Sequence, residues 1–218
     1  MTSTPYGPNA WLIRFADQVD EASYAASRAI TVSLESAPPV GLREFVLGYT
    51  TVLLIFGEPT VEHQSWDIDG AVRDLRSAAR RRLRAAPVME IPVCYDGPDL
   101  HRVAEHHSLS VDEVVKIHSG TIYKVHLLGF APGFPYLGEL DARLHTPRLD
   151  SPRTVVPAGS VAIGGAQTGV YSIPNPGGWN LIGRTEVKLF DPDAKEDREK
   201  FYLHAGDRVK FVPVAQVS

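Results

Sequence analysis

Cysteine is almost absent from this chain of 218 residues, in which Cys94 is the single one. One thiol forms no internal disulfide and supplies no cysteine-based zinc set, and free thiols are typical of a reducing compartment. The first residues contain neither the basic start nor the apolar stretch of a secretory signal. We therefore expect a cytoplasmic protein.

Long apolar runs and an excess of positive charge are missing as well. The longest aliphatic run spans residues 52–56, far short of the roughly 20 residues that a membrane span requires. The chain has 22 Lys and Arg against 26 Asp and Glu, and its net charge of −4 provides no attraction to nucleic acids or anionic membranes. Neither is an expected partner.

The common catalytic signatures are also missing. The sequence around Ser160 lacks the G-x-S-x-G elbow, and the glycine-rich stretch 164–169 lacks the Gly-Lys-Ser/Thr ending of a Walker A loop. His101, His106 and His107 do not form H-E-x-x-H, and adjacent histidines point to different sides of a helix. We predict no metal site, and any ATP site has to be unconventional or shared with another chain.

The first part of the chain alternates strand-like and helix-like stretches. Helices are predicted over residues 20–34 and 68–83, and in the second helix apolar residues recur at spacings of three and four. The basic run at 80–84 suits the negative end of that helix's dipole, with a nucleic-acid site as the alternative interpretation.

After residue 87 the pattern changes. A strand over 88–95 leads into two short helices, 100–107 and 111–118, and Ser110 with Glu113 has the spacing of a capping box. Many short segments with Gly and Pro turns then indicate a barrel or a sandwich. Beyond a strand that begins near residue 121, the expected strands lie around 161–163, 169–172, 180–182, 187–190 and 208–212.

A candidate pocket lies where glycine and proline are concentrated, because 10 of the 18 Gly and 7 of the 17 Pro fall between residues 129 and 183. Segment 129–138 interleaves aromatic residues with Gly and Pro, as a rigid pocket wall would. Arg148 and Arg153 each follow a proline, and a guanidinium suits a carboxylate or a phosphate. A turn-rich barrel with exposed arginines is the alternative. The predicted substrate-binding residues are Phe130, Pro132, Gly133, Phe134, Tyr136, Arg148, Arg153, Gln167, Tyr171, Trp179 and Arg184.

Several motifs in this region occur together and in order. They are H-S-G-T-I-Y-K-V at 118–125, G-F-A-P-G-F-P-Y-L-G at 129–138, P-R at 147–148 and 152–153, V-P-A-G-S-V at 156–161, Q-T-G-V-Y at 167–171 and P-G-G-W-N-L-I-G-R-T at 176–185. In this combination the chain resembles the allophanate hydrolase subunit 1 family. That family includes the B subunit of bacterial 5-oxoprolinase and the kinase inhibitor KipI, and its modules form the carboxyltransferase part (subdomains C and D) of urea carboxylase.

The resemblance implies an α+β protein with a small N-terminal α/β domain, residues 1–87, and a cyclophilin-like β-barrel domain, residues 88–218. It implies a subunit 2 partner and, in the 5-oxoprolinase case, a third subunit. The expected activity is ATP-dependent cleavage of a small amide or lactam, either 5-oxoproline to glutamate or allophanate, with ATP bound by the complex. The alternative is a regulatory protein that inhibits a sensor histidine kinase, as KipI does.

His118 is the candidate catalytic residue. It ends a predicted helix just before the first barrel strand, and a helix C-terminus favours a protonated histidine, so a structural role competes with proton transfer. We expect His118 to reach the pocket wall formed by segment 129–138 and to transfer a proton during amide cleavage.

Overall fold

The structure, a computed structural model, describes residues 1–58, 68–80, 86 and 88–215. It divides into two compact units, Met1–Ala85 and Ala86–Ser218; the boundary predicted from the sequence follows residue 87. None of the helices in the described ranges is long and apolar enough to cross a bilayer.

The first unit is a four-stranded antiparallel sheet with two helices. Its strands are β1 (Thr2–Pro5), β2 (Ala10–Arg14), β3 (Leu42–Leu47) and β4 (Thr51–Phe56), its helices are α1 (Glu21–Ser36) and α2 (Ile68–Ala79), and the strand order is β1-β2-β4-β3. Alternate residues of β4, namely Val52, Leu54 and Phe56, are fully buried because successive side chains of a strand point to opposite faces. They form the unit's core together with Ile30 and Leu34 of α1.

Helix α1 begins with a reciprocal cap. The Asp20 carboxylate accepts a hydrogen bond from the Ser23 backbone N–H at 2.8 Å, and the Ser23 hydroxyl accepts one from the Asp20 N–H at 2.9 Å. These bonds satisfy donors that the first helical turn leaves free. The helix predicted over 20–34 is confirmed. For α2, residues 81–85 and hence most of the basic run 80–84 lie outside the described residues.

The second unit contains a seven-stranded sheet that curls into a nearly closed barrel. Its strands are β5 (Val88–Val93), β6 (Ile122–Leu128), β7 (Pro135–Gly138), β9 (Ser160–Gly164), β10 (Gln167–Val170), β12 (Asn180–Arg184) and β13 (Arg208–Pro213). Their order in the sheet is β12-β9-β10-β7-β6-β13-β5. A separate pair consists of β8 (Arg153–Val156) and β11 (Asn175–Gly177). The α+β fold with a barrel-like sheet is therefore confirmed.

The barrel closes where the chain leaving β5 meets β12. Cys94 and Arg184 exchange backbone hydrogen bonds of 2.9 and 2.8 Å, and the Asp99 N–H donates to the Leu181 carbonyl at 2.9 Å. A Cβ at Gly183 would lie 2.6 Å from the Cys94 carbonyl oxygen. This seam, the pairing of residues 94–99 with 181–184, therefore depends on glycine.

Helices α3 (Leu100–His106) and α4 (Val111–Gly120) follow β5, as the sequence predicts. The capping box is present, since the Ser110 hydroxyl accepts from the Glu113 N–H at 3.2 Å and the Glu113 carboxylate accepts from the Ser110 N–H at 2.8 Å. The strand predicted at 187–190 is wrong. Phe190 alone makes an isolated bridge, to Phe201, because the pairing is limited to two backbone bonds, from the Tyr202 N–H to the Leu189 carbonyl at 3.0 Å and from the Asp191 N–H to the Lys200 carbonyl at 2.8 Å.

Candidate functional site

A cavity of about 230 Å³ opens in the barrel unit, and aromatic rings dominate its lining. Six predicted site residues meet there: Phe130, Phe134, Tyr136, Arg148, Tyr171 and Trp179. The lining is completed by Pro152, Pro176, Gly177 and Gly178. The structure thus brings these five aromatic residues and one arginine together around one cavity, which we call the aromatic cavity.

Phe134 is the centre of the aromatic wall. Its ring centroid lies 5.2 Å from that of Tyr136, 5.3 Å from that of Tyr171 and 5.5 Å from that of Trp179, in edge-to-face arrangements throughout. Such contacts add about 0.5–1.5 kcal/mol per pair beyond the area buried. The wall is therefore a packed, rigid surface.

Two glycines make room for these rings. A Cβ at Gly164 would lie 2.5 Å from atoms of the Trp179 indole, and a Cβ at Gly177 would overlap the Tyr171 hydroxyl. Because real Cβ atoms do not approach other atoms so closely, any larger residue at either position would displace a ring of the cavity.

The loop before β7 places Phe130 at the mouth of the cavity. A tight turn forms because the Phe134 N–H donates to the Ala131 carbonyl at 3.0 Å and the Gly129 N–H donates to the Phe134 carbonyl at 3.1 Å. Phe130 has a φ of 68° and is 60% exposed. Left-handed backbone at a bulky residue is strained, and such strain is concentrated at functional sites.

Arg148 provides the positive charge of the cavity. Its guanidinium carbon lies 5.8 Å from the centre of the Trp179 ring, within the range of a cation–π interaction. The Leu149 N–H donates to the Gly178 carbonyl at 2.7 Å, which holds the adjoining backbone. Among the described residues no carboxylate forms an ion pair with Arg148. Its charge is therefore available to a ligand.

Tyr171 provides a neutral hydroxyl. Burial raises the pKa of this phenol, although a hydrogen bond from the Trp179 backbone and the charge of Arg148 act in the opposite direction. The phenol therefore keeps its proton at neutral pH and is able to donate it in a hydrogen bond. Apolar walls, one guanidinium and one phenol suit a small ligand that has a ring or flat body and one negative group.

Arg153 lies outside the aromatic cavity and is already paired. Its Nη2 donates to both carboxylate oxygens of Asp99 at 2.8 Å, and Asp99 also accepts the Leu181 N–H at 2.7 Å. Asp99 is buried at the start of α3. The pair joins α3 to strands β8 and β12.

Arg184 lies with Arg153 in a second space of about 420 Å³, which we call the polar cleft. Its Nε donates to the Asp96 carboxylate at 2.9 Å, and both side chains are about half exposed.

Three other predicted residues, Gln167, Pro132 and Gly133, also lie outside the aromatic cavity. Gln167 of β10 pairs with Gly164 of β9. The Pro132 carbonyl, next to Gly133, accepts a hydrogen bond from the Ser172 hydroxyl.

His118 is fully buried, and both of its ring nitrogens are engaged. The Thr168 hydroxyl donates its one proton to the Ala162 carbonyl at 2.9 Å, so it accepts from the His118 Nε2–H, 2.9 Å away. Nδ1 consequently accepts from the Tyr95 hydroxyl at 2.7 Å. The bond to Thr168 thus requires a proton on Nε2, and burial of the ring favours the neutral form, in which Nδ1 is the acceptor.

The predicted placement of His118 against the pocket wall is wrong. Its ring stacks on Phe211 at 4.7 Å in the barrel core, because helix α4 ends over the interior of the barrel rather than at the aromatic cavity. Burial lowers the pKa of His118 to about 3. The role in proton transfer stays a prediction.

Four residues that line the aromatic cavity, two prolines and two glycines, are not among the residues predicted from the sequence. Pro152, Pro176, Gly177 and Gly178 complete the cavity through backbone and ring atoms. The signal was present in P-G-G-W at 176–179, where two glycines precede a tryptophan. Glycine, which has no Cβ, lets the backbone approach an aromatic ring closely.

Comparison with known proteins places the chain in a family. A family model described as "Carboxyltransferase domain, subdomain C and D" matches residues 1–199. The chain is 38% identical to the B subunit of 5-oxoprolinase from Bacillus subtilis (strain 168) over 222 residues, 96% of this chain and 91% of that protein. It is 57% identical to the B subunit of 5-oxoprolinase from Escherichia coli O157:H7 over 128 residues, 57% of either chain.

A solved structure has the same fold. The crystal structure of TTHA0988 superposes with a TM-score of 0.81 at 38% identity, over 94% of this chain and 40% of that one. This chain thus spans less than half the length of TTHA0988. Since the family model covers most of the sequence and the relative from B. subtilis aligns over nearly its full length, the chain belongs to the carboxyltransferase domain family, subdomain C and D.

Proposed function

We propose that this chain is a subunit of an ATP-dependent hydrolase that opens 5-oxoproline to glutamate. The relatives named as the B subunit of 5-oxoprolinase support this assignment. In this proposal a subunit 2 homologue and a third subunit complete the enzyme, and ATP binds to the complex. The kinase-inhibitor alternative stays a prediction.

The observation that carries the proposal is Arg148 in the aromatic cavity. 5-Oxoproline is a five-membered lactam ring that bears one carboxylate. Its ring would pack against Phe134 and Trp179, its carboxylate would pair with the Arg148 guanidinium, and its lactam oxygen would accept from the Tyr171 hydroxyl. Allophanate carries a carboxylate but has no ring, so it would gain less from the aromatic walls.

The residues of this chain would bind and orient the lactam. Hydrolysis adds water across the C–N bond of the ring, and the groups of the cavity fix the ring while the packed aromatic wall limits access of bulk water. A guanidinium and a neutral phenol would bind the lactam and polarise its carbonyl group, but neither is a nucleophile that attacks the carbonyl carbon. The ATP-dependent step therefore falls to the partner subunits, and the chain alone is expected to be inactive.

A pair of ligands tests the role of Arg148. Pyrrolidin-2-one is the same lactam without the carboxylate, so calorimetric titration of the full chain with both compounds isolates the contribution of that group. We expect Arg148→Met to weaken the binding of 5-oxoproline about tenfold or more, because a charge-assisted hydrogen bond is lost. The affinity for pyrrolidin-2-one should stay unchanged. Arg143→Met is the matched control, because Arg143 is exposed and pairs with Asp141 at 2.7 Å.

Equal affinities of the parent and Arg148→Met for 5-oxoproline, or no binding by the parent, would overturn the assignment of the cavity. The subunit role has a separate test. The chain co-expressed with a subunit 2 homologue should elute with it as one peak in size-exclusion chromatography, and the full complex should release glutamate from 5-oxoproline only with ATP. Cleavage of allophanate instead would overturn the substrate.

A further inference from the structure

Asn180 is a wholly buried amide whose polar atoms are all engaged. Its Nδ2 donates to the Pro147 carbonyl at 2.9 Å and to the Ile163 carbonyl at 3.1 Å. Its Oδ1 accepts from Nη1 of Arg102, an exposed residue of α3. One side chain therefore joins three separate segments of the barrel unit.

One of these bonds, to the Pro147 carbonyl, joins the segments that carry Arg148 and Trp179. Pro147 directly precedes Arg148, and Asn180 directly follows Trp179. The bond from Asn180 to the Pro147 carbonyl thus connects the backbone on one side of the arginine to the backbone on one side of the indole.

On the other side, the Leu149 N–H donates to the Gly178 carbonyl at 2.7 Å. The Asn180–Pro147 bond lies one residue before Arg148 and one residue after Trp179. The Leu149–Gly178 bond lies one residue after Arg148 and one residue before Trp179. Together they fix the backbone from which the guanidinium reaches over the ring. The Leu149 bond is between backbone atoms, so Asn180 is the tie that a substitution can remove.

The chemistry at position 180 requires an amide. An aspartate there would place a carboxylate against the carbonyls of Pro147 and Ile163, which repel it, and a serine would be too short to reach both carbonyls. Arg102 orients the amide, since a guanidinium accepts no hydrogen bond and thus selects the Oδ1 end. The NH₂ end is then directed at the two carbonyls.

We propose that Asn180 is a positioning residue, which holds Arg148 at the distance from Trp179 at which its guanidinium meets the carboxylate of the ligand. This inference rests on the proposed function, because it acts through the binding of that carboxylate by Arg148. Asn180 contributes to affinity only for ligands that carry the negative group.

The test is a double-mutant cycle read by calorimetric titration of the full chain with 5-oxoproline and pyrrolidin-2-one. We expect Asn180→Ala to weaken the binding of 5-oxoproline about three- to tenfold, the range that the loss of one hydrogen bond produces. The affinity for pyrrolidin-2-one should stay unchanged. In the Arg148→Met background Asn180→Ala should cause no further loss, because residues that act through one another are not additive.

A purely structural role predicts other results. If pyrrolidin-2-one weakens as much as 5-oxoproline, or if the losses of Asn180→Ala and Arg148→Met add, the inference is overturned. Should Asn180→Ala fail to fold, Arg102→Met makes the same test from an exposed position. We expect it to lower the affinity for 5-oxoproline two- to threefold, a smaller loss because both bonds from the Asn180 Nδ2 remain, on the order of the weakest single hydrogen bonds. The matched control is again Arg143→Met.

The same measurements separate this inference from the proposed function. If Arg148→Met leaves 5-oxoproline affinity intact, the proposed function of the cavity fails. If Arg148→Met weakens 5-oxoproline while Asn180→Ala and Arg102→Met do not, only the positioning role fails.

Discussion

The aromatic cavity and the polar cleft lie in the same barrel unit, and each contains an arginine that follows a proline. In the polar cleft Arg153 is bound to a buried carboxylate, whereas Arg148 in the aromatic cavity has no carboxylate partner among the described residues and lies against an indole ring. Two identical Pro-Arg pairs therefore have different surroundings. The surroundings of a guanidinium, rather than its local sequence, decide whether it binds a ligand.

The energetic reason is the cost of exchanging partners. Asp99 is buried and accepts from both Arg153 and the Leu181 N–H. A ligand at Arg153 would have to displace that carboxylate and leave it uncompensated, which is expensive in a buried site. A ligand at Arg148 would have no carboxylate of the described residues to displace.

The largest expected effect that sharpens this comparison belongs to Arg153→Met. Removal of the guanidinium leaves the Asp99 carboxylate buried without its ion pair, and we expect the free energy of unfolding to fall by roughly 3 kcal/mol. Urea unfolding measures it. Unchanged stability combined with weaker 5-oxoproline binding would contradict the structural role and return Arg153 to the binding residues.

Next comes Gly177→Ala, which acts on the aromatic cavity. The new Cβ overlaps the Tyr171 hydroxyl, so the ring has to move, and the expected loss of stability is about 1–3 kcal/mol with weaker ligand binding. Gly178→Ala is the matched control, since its Cβ would meet its nearest neighbour, the Leu149 carbonyl oxygen, at an ordinary 3.5 Å. Thermal unfolding and calorimetric titration of both variants should separate them; similar behaviour would show that the wall is deformable.

His118 extends the comparison to a buried group whose polar atoms are all satisfied. Its pKa is about 3 in the folded chain against an ordinary 6.5, so the neutral form is the one that folding stabilises. That stabilisation is complete above pH 6.5 and is lost as the pH falls from 6.5 towards 3, with a slope approaching ~1.4 kcal/mol per pH unit. Urea unfolding between pH 7 and 5 measures the slope.

Nitrogen NMR of the His118 ring provides the control, because Nε2 should stay protonated and Nδ1 unprotonated across that range. Titration of the folded ring near pH 6.5 would contradict the prediction. The catalytic role has its own readout in His118→Ala. If His118 is structural, the substitution lowers the melting temperature and leaves turnover per folded molecule unchanged. If His118 transfers a proton, the substitution lowers turnover by ~10²–10⁴-fold.

The smallest effect is expected for Arg184→Met. Both partners of its ion pair with Asp96 are about half exposed, and solvent and salt screen such pairs so that they contribute little to stability. The urea unfolding curve of Arg184→Met should therefore nearly coincide with that of the parent. A loss as large as that of Arg153→Met would show that burial does not explain the difference between the two arginines.

The part of the site that the sequence predicts is the part encoded locally. Phe130, Phe134 and Tyr136 alternate with Gly and Pro over a few residues, and this interleaving indicates a rigid wall without any long-range information. The short strands β8 and β11 escaped prediction, because segments of four and three residues are too short to show a period of two and β11 also includes Pro176.

Partners that lie far apart in sequence could not be predicted. Asp99 and Arg153 are 54 residues apart, and His118 meets Tyr95 and Thr168 at separations of 23 and 50. No spacing rule connects such positions, since only the closed barrel brings them together. The sequence therefore predicts Arg153 and His118 as binding and catalytic groups without showing the distant partners that engage their polar atoms in the fold.

The seam of the barrel places the chain's only thiol at the joint between its two edge strands. Cys94 is buried there, and burial together with the neighbouring Asp96 raises the pKa of its thiol, so it reacts slowly while the seam is closed. The Cys94 Sγ also donates to the Ala215 carbonyl at 3.7 Å, so the chain that follows β13 helps to cover the thiol. The rate at which iodoacetamide labels Cys94 should thus measure how often the thiol is uncovered, with the protein carrying its own probe of local opening.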